Sequence, residues 1–241
     1  MTGKEPVLKV VRAAFERERR INLHHDRITM AYRNGDLTLE GEVETIAAKK
    51  RAMELAITVP GVDAIIDRLH VVPAVRAGDG AILDAVCTAL IQEPALANCA
   101  IRVRSKGRVR TIRETDLKPA GAIEVSVNDG VVLLDDRVTN LVQKRLAGVL
   151  AWWVPGSRDV VNGMEVDPPE EDRDDLVVEA VRIVLEKDPF IQADQIHVSA
   201  RNDVVTLSGV VRTDTEKRMA EHDAWYVFGV DGVVNELDVR P

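Results

Sequence analysis

One stretch of this sequence occurs three times, and this repeat constrains the fold more than any other feature. Residues 202–239 align without a gap with residues 34–71, which in turn align with residues 129–166. Apolar residues recur at equivalent positions of the copies: Leu39, Leu134 and Leu207 near the start, and Val71, Val166 and Val239 at the end. A self-match of this length indicates one folded unit present in three copies.

Each copy has the pattern of a β-hairpin. The residues that tolerate the positive φ of a tight hairpin turn are Asn34-Gly35, Asp129-Gly130 and Asn202-Asp203. Apolar residues alternate with polar ones before each turn and are β-branched after it, as expected for strands with one packed face. The sequence therefore predicts one hairpin in each copy.

A capped helix and a closing strand follow each hairpin. Thr213 with Glu216 forms a capping box and Asn140 with Gln143 is a close analogue, whereas Thr45 has no acidic or amide partner. The helices end at Gly61, Gly156 and Gly229. The closing strands are predicted over residues 65–71, 160–166 and 233–239.

A further amphipathic helix precedes each hairpin, over residues 7–15, 82–91 and 176–185. The predicted fold class is therefore α+β, with three tandem α-β-β-α-β modules, each of two helices packed on a three-stranded mixed sheet. The module boundaries are 5–73 for module 1, 80–167 for module 2 and 174–240 for module 3. Modules of this size bury a modest core, so we expect them to pack on one another or on a second chain.

The repeated motif is similar to that of a known family. In the third copy it comprises Val205, Leu207, Gly209, Val211, Val233, Val234, Asn235, Leu237 and Val239. In the first copy it comprises Leu37, Leu39, Gly41, Val43 and Pro60-Gly61-Val62. These residues resemble the BON domain, which is named after bacterial osmotically induced and nodulation-associated proteins. Asp136 stands where the middle copy should have the strand-end glycine, so we expect a local difference there.

The resemblance implies a function class but no catalytic residues. BON-like proteins are linked to phospholipid or membrane-surface binding, to osmotic stress and, in some members, to ion or protein binding. The resemblance therefore implies a non-catalytic binding or scaffolding protein with a link to stress, and not an enzyme. Two alternatives stay open: a protein-interaction or chaperone-like module without an anionic ligand, and a module that binds a small cation such as potassium or calcium.

A basic insertion distinguishes the middle copy. Residues 101–122 have no counterpart in the third copy, and their cationic residues are Arg102, Arg104, Lys106, Arg108, Arg110, Arg113 and Lys118. A hairpin with a three-residue loop, Ser105-Lys106-Gly107, would place four arginines on one face. A two-residue Lys106-Gly107 turn would pair Arg104 with Val109 and mix the faces.

The insertion has two interpretations. One is a solvated extension or a segment neutralised by the acidic third module, in which residues 168–241 carry 8 basic and 17 acidic side chains. The other is a site for an anionic ligand such as a lipid head group, formed by Arg102, Arg104, Lys106, Arg108, Arg110 and Arg113. The charges have no aromatic residues interleaved with them, which argues against nucleic acid as a partner.

Four aromatic residues occupy matching helix ends in the last two copies. They are Trp152, Trp153, Trp225 and Tyr226. Consecutive helical residues point about 100° apart, so one of each pair can lie in the core and the other at its edge. The alternative is a contact surface between modules, with a protein partner, with a second copy of the chain or with a bilayer interface.

The remaining composition predicts no cofactor and no metal. The five histidines show no ligand spacing, and no phosphate-binding loop or nucleophile motif is present. Cys87 and Cys99 are expected to be reduced and buried rather than a disulfide or redox pair. Residues 1–15 lack the apolar core of a secretory signal, which favours the cytoplasm, although relatives are often periplasmic.

Overall fold

The computed structural model describes residues 4–240. Within them the chain divides after Val72 into two compact units. The first unit contains helix α1 (Lys4–Arg17), strands β1 (Arg27–Arg33) and β2 (Asp36–Val43), helix α2 (Ile46–Ile57) and strand β3 (Ala64–Val71). Its sheet has the order β1-β2-β3, with β1 antiparallel and β3 parallel to β2.

The second unit begins with a larger version of the same motif. Its elements are α3 (Asp79–Gln92), β4 (Cys99–Ser105), β5 (Arg108–Arg113), β6 (Gly121–Asn128), β7 (Val131–Val138), α4 (Leu141–Trp153), β8 (Asp159–Asn162) and β9 (Glu165–Val166). The sheet order is β5-β4-β6-β7-β8, and β9 also pairs with β7. The insertion therefore adds two strands to one edge of the sheet, with β4 parallel to β6.

The last part of the chain returns to the smaller form. It consists of α5 (Asp174–Lys187), a short 3-10 helix (Ala193–Gln195), β10 (Ile196–Arg201), β11 (Val204–Val211), α6 (Asp214–Tyr226) and β12 (Gly232–Val239). The sheet order β10-β11-β12 matches that of the first unit. The predicted α+β class and the α-β-β-α-β order are confirmed, and the middle sheet is larger than the three strands expected.

The closing strand of the middle module differs from the prediction of one strand over residues 160–166. It is divided into β8 and β9 around Gly163, whose amide donates to the Leu134 carbonyl at 2.8 Å. The Asn162 side chain donates to the Lys144 carbonyl on α4 at 2.7 Å. Met164 follows the break and is fully buried, so the kink places an apolar side chain in the core.

A buried polar side chain joins the segment that follows the first helix of each module to the corner between hairpin and second helix. Glu216 accepts from the backbone amides of Gln192 and Arg212, each at 2.9 Å. Gln143 accepts from the amide of Thr139 at 3.1 Å and donates to the Ala95 carbonyl at 2.8 Å.

In the first unit, where the capping box is incomplete, this role falls to a residue outside the helix. Asp26 is 3% exposed and accepts from the amides of Asn22 at 2.7 Å and Glu44 at 2.9 Å. Thr45 supplies only the cap itself, accepting from the amide of Ala48. A carboxylate before β1 thus substitutes for the missing glutamate of the helix.

The strand-end glycine is required in two modules and dispensable in the third. Gly41 and Gly209 have φ values of 137° and 121°, which side chains avoid, and an added Cβ would lie 1.7 Å and 2.1 Å from the carbonyl oxygens of Arg27 and Gln195. Asp136 has a φ of 80°, closer to the left-handed region that aspartate tolerates. The expected local difference in the middle copy is therefore a change in backbone conformation.

Alanine at the two equivalent positions of the second unit should have unequal effects. Gly209→Ala should lower the free energy of unfolding by about 3 kcal/mol or more, because its Cβ meets a backbone carbonyl. Asp136→Ala should lower the free energy of unfolding by about 1 kcal/mol, because the backbone at this position already accommodates a Cβ. Urea denaturation measures both, and equal losses would contradict this account of the glycine.

Candidate binding surfaces

The insertion forms the hairpin with the two-residue turn. Arg104 pairs with Val109 and Ser105 with Arg108, and the turn residues Lys106 and Gly107 both have positive φ. The register with a three-residue loop is wrong, because Ser105 belongs to the strand and pairs with Arg108. A bulge between Ile101 and Arg102 shifts the register only at the far end of the hairpin. Since side chains alternate along a strand, Arg102 and Arg104 lie on one face and Arg108 and Arg110 on the other.

The two arginines of β4 are neutralised by acids of their own sheet. Arg102 forms a salt bridge with Asp136 at 3.0 Å, and Arg104 forms a bidentate pair with Glu124. Asp136 is the residue that replaces the strand-end glycine. The interpretation that the insertion is neutralised by acids therefore holds for these two residues, with acids of module 2 and not of module 3.

Arg113 has a structural role. Its guanidinium donates to the carbonyl oxygens of Ile91 at 2.8 Å, of Cys99 at 2.8 Å, and of Leu96. These carbonyls lie at the end of α3 and the start of β4. Arg113 therefore fastens β5 to the segment that connects α3 with the sheet.

Three cations remain at the end of the hairpin: Lys106, Arg108 and Arg110, called here the hairpin tip. All three are exposed, and none forms a salt bridge with an acid in residues 4–240. Val109, within the same segment, has 48% of its surface exposed. Of the six residues proposed from sequence as an anionic site, the structure leaves these three available.

The aromatic residues lie in different environments. Trp225 is 1% exposed and belongs to the core of module 3. Trp152 of α4 stacks on Tyr226 of α6, with ring centroids 5.4 Å apart and an interplanar angle of 20°. Trp153 of α4 donates its indole N–H to the Asp223 carboxylate of α6 at 2.9 Å. Three of the four aromatics therefore contact one another or an acid across the junction of modules 2 and 3.

A buried arginine occupies the same junction and was missed from sequence. Arg145 of α4 is fully buried, donates to the Phe228 carbonyl at 2.9 Å and pairs with Asp172. The neighbouring Lys144 lies 4.6 Å from the centre of the Phe228 ring. Basic residues stand at the position of Arg145 in the other copies too, as Lys50 and Arg218, so nothing in the repeat marks Arg145.

The comparisons with known proteins agree with the repeat. The BON domain matches residues 7–73, 109–168 and 173–241, which is more than half of the chain. This chain belongs to the BON domain family. The match to the middle module begins in β5, so α3 and β4 lie outside it.

Other comparisons add little to the BON assignment. No curated protein matches the chain. The C-terminal domain of CdsD, the structural protein of the type III secretion system of Chlamydia trachomatis, is 15% identical and aligns over 100% of both chains, with a TM-score of 0.26. A second CdsD structure is 14% identical over 98% of this chain and 93% of that chain, also with a TM-score of 0.26. At these TM-scores neither similarity supports a conclusion about fold or function.

BON domains are generally non-catalytic binding modules. Within residues 4–240, no group of three or more His, Cys, Asp or Glu side chains is arranged to hold a metal ion. Cys87 and Cys99 are free and buried, as predicted, and burial raises the pKa of both thiols to about 11. Among the described helices, none is both long and apolar enough to cross a membrane.

The junction contains a carboxyl group with altered acidity. Asp223 is 4% exposed, and its burial raises its pKa to about 8. The hydrogen bond from Trp153 lowers the pKa, whereas the nearby carboxyl of Asp188 raises it. Asp188 is itself buried, so water screens the interaction of its carboxyl group with Asp223 only weakly.

The stability of the second unit should fall as pH rises through about 8. An acid whose pKa is higher in the folded than in the unfolded chain stabilises the fold in its protonated form, and this contribution is lost as the folded form ionises. We expect a loss of about 2–3 kcal/mol between pH 6 and pH 8, measured by urea denaturation. Asp223→Asn should remove most of this slope, because the amide still accepts from Trp153 and carries no charge.

Asp214→Asn provides the matched control, since Asp214 lies on the same helix but is exposed. It should leave the slope unchanged. A wild-type unit whose stability is flat over this range, or an equal effect of both substitutions, would show that Asp223 ionises without consequence for folding.

Proposed function

We propose that this BON-domain protein is a non-catalytic binding or scaffolding protein that engages an anionic phospholipid surface through the hairpin tip. The observation that carries the proposal is the division of the basic residues of the insertion. Arg102 and Arg104 are paired with acids, and Arg113 holds main-chain carbonyls. Lys106, Arg108 and Arg110 project without acidic partners in the described chain.

The tip has the chemistry of a weak membrane-surface contact. A lysine or arginine near an anionic leaflet contributes about 1 kcal/mol, so three contribute about 3 kcal/mol at low salt. The exposed Val109 adds apolar area next to the charges. The acidic third module would be repelled by the same surface, so contact is expected through module 2.

The membrane face that fits this chemistry is the cytoplasmic leaflet, whose lipids are anionic. We therefore place the protein in the cytoplasm. Membership of the BON family motivates a role in osmotic or other stress, in which a surface-bound scaffold would act.

Vesicle co-sedimentation tests the proposal. The wild-type chain should bind vesicles that contain phosphatidylserine at low salt, and should bind pure phosphatidylcholine vesicles weakly. Replacing Lys106, Arg108 and Arg110 together by Gln should weaken binding to the anionic vesicles by about 10-fold or more, because three unpaired charges are lost. Added salt should reduce wild-type binding in the same direction.

The control variant changes net charge by the same amount elsewhere in the second unit. Arg137, Arg173 and Arg240 are exposed but paired with Asp167, Asp175 and Asp238, and their replacement by Gln should leave binding nearly unchanged. Equal weakening by the two triple variants, or no wild-type binding at low salt, would reject the hairpin tip as a lipid site. Salt-insensitive suppression of client aggregation would instead favour the chaperone-like alternative, and calorimetry with potassium and calcium would test the cation-binding one.

A further inference from the structure

The first unit has an incomplete core along one edge of its sheet. Within residues 4–240, β1 pairs only with β2. The helix-facing side chains of β1 are Ile28, Met30 and Tyr32, and all three are only half-buried. By contrast Leu37 and Leu39 on the central strand are fully buried. The apolar face is therefore closed over β2 and partly open over β1.

The same three residues carry the backbone groups of the edge that do not bond to β2. Arg33 pairs with Asp36 across a two-residue turn, so this pair exchanges both of its backbone hydrogen bonds. Alternation along the antiparallel ladder then directs the amides and carbonyls of Ala31 and Thr29 toward β2 as well. Those of Ile28, Met30 and Tyr32 point away from β2, and the Ile28 amide donates instead to the Asp26 carbonyl at 3.0 Å. The open amides of this edge are therefore those of Met30 and Tyr32.

In the middle module, an added strand occupies the edge that is open beside β1 in the first unit. The repeat aligns Ile28 with Ile123 and Met30 with Val125. In module 2 these residues pair with β4, which runs parallel to β6 and places Ile101 beside Ile123 and Val103 beside Val125.

With the added strand in place, two of the three equivalents are fully buried, whereas Val127, the equivalent of Tyr32 beyond the end of β4, stays half-buried. Ile123 and Val125 are each 0% exposed. The first contact of the added strand is the hydrogen bond from the Gly121 amide to the Asn98 carbonyl at 2.9 Å. The insertion thus supplies within module 2 the strand that module 1 lacks.

Module 3 has the same three-stranded sheet as the first unit, but the apolar residues of its first strand are better buried. The equivalents of Ile28 and Met30, Ile196 and Val198, are 8% and 5% exposed although no strand of the described chain is added beside β10, and only the equivalent of Tyr32, Ala200, is half-buried. The open apolar edge is therefore specific to β1 and is not a general property of the repeat.

The charges around β1 restrict what can pair with it. Arg27 and Arg33 stand at its two ends on the solvent face, both are exposed, and neither forms a salt bridge in the described chain. Antiparallel pairing with β1 of a second copy, centred on Met30, would set Arg27 opposite Arg33 and is disfavoured. In module 2 the pair between Arg104 and Glu124 shows that opposite charges do meet across this edge.

We propose that β1 binds an extended segment of a partner protein, which adds to the sheet as a strand parallel to β1. The segment carries apolar residues at three alternate positions, beside Ile28, Met30 and Tyr32. It carries carboxylates at both ends, beside Arg27 and Arg33. Main-chain hydrogen bonds supply the affinity, and the alternating side chains select the segment. This site is separate from the hairpin tip and does not depend on lipid binding.

Hydrogen exchange on the full chain tests the site with a synthetic peptide of the pattern Glu-Val-Thr-Val-Thr-Val-Glu. In the free protein, the amides of Met30 and Tyr32 should exchange rapidly, while those of Ile123 and Val125 are protected by β4. Peptide should protect these two β1 amides by about 10-fold or more. No protection at millimolar peptide would overturn the proposal, as would protection that the free protein already shows.

Charge reversal tests the assigned ends without altering the backbone. Wild type should bind the Glu-ended peptide about 5-fold or more tightly than a Lys-ended version, and Arg27→Glu with Arg33→Glu should reverse this preference. Ala200→Pro, which blocks the corresponding edge of β10, should leave binding intact, whereas Met30→Pro should abolish it. Equal affinity for both peptides would refute the proposal. So would β1 protection that appears with rising protein concentration alone, which would identify a second copy as the occupant.

Discussion

A three-stranded sheet covered by helices on one face leaves two strand edges and one face to solvent, and the rest of this structure follows from how each module meets that constraint. Module 2 extends its sheet with β4 and β5 and buries the strand that would otherwise be an edge. Module 3 closes its apolar face without an extra strand. The first unit does neither along β1, and its alternating apolar residues remain half-buried. Copies of one motif therefore differ most at the edge formed by the first hairpin strand.

Modules 2 and 3 also gain burial by packing on each other, and the polar groups at their junction decide the geometry. Arg145 is a buried cation held by one carboxylate and one main-chain carbonyl. Such groups are costly to desolvate, so they contribute more to a unique arrangement of the modules than to net stability. The bond between Trp153 and Asp223 acts in the same way, because each partner would lose its hydrogen bond if the modules shifted.

The sequence was sufficient for those features that depend on local chemistry. Turn residues such as Asn34 and Asp129 adopt the positive φ expected of them, and Thr213 and Asn140 cap their helices as predicted. The repeat itself carried the order of helices and strands. These properties depend on a few neighbouring residues, and for that reason a pattern of residue types identifies them.

The features that sequence could not supply depend on contacts between distant segments. The alternation in β4 indicates a strand but not the edge that it joins. Residue types also left both the two-residue and the three-residue turn of the hairpin open. The basic residues of the insertion were recognised, yet their separation into paired and free cations required the positions of Glu124 and Asp136. Asp26 was missed for a similar reason, since one of its partners, Asn22, precedes β1 and the other, Glu44, follows β2.

The contact between Arg102 and Asp136 makes two sequence changes interdependent. Asp136 occupies the glycine position of the other modules, and its carboxylate meets the guanidinium that the insertion brings to the sheet. A chimera in which residues 101–122 are shortened to the form found in module 3 would leave Asp136 with its positive φ but without its counter-ion. Conversely, transplanting the insertion into module 3 would bring a cation to Gly209, which has no charge to receive it. Segments can therefore be exchanged among these repeats only when the insertion and Asp136 are transferred together.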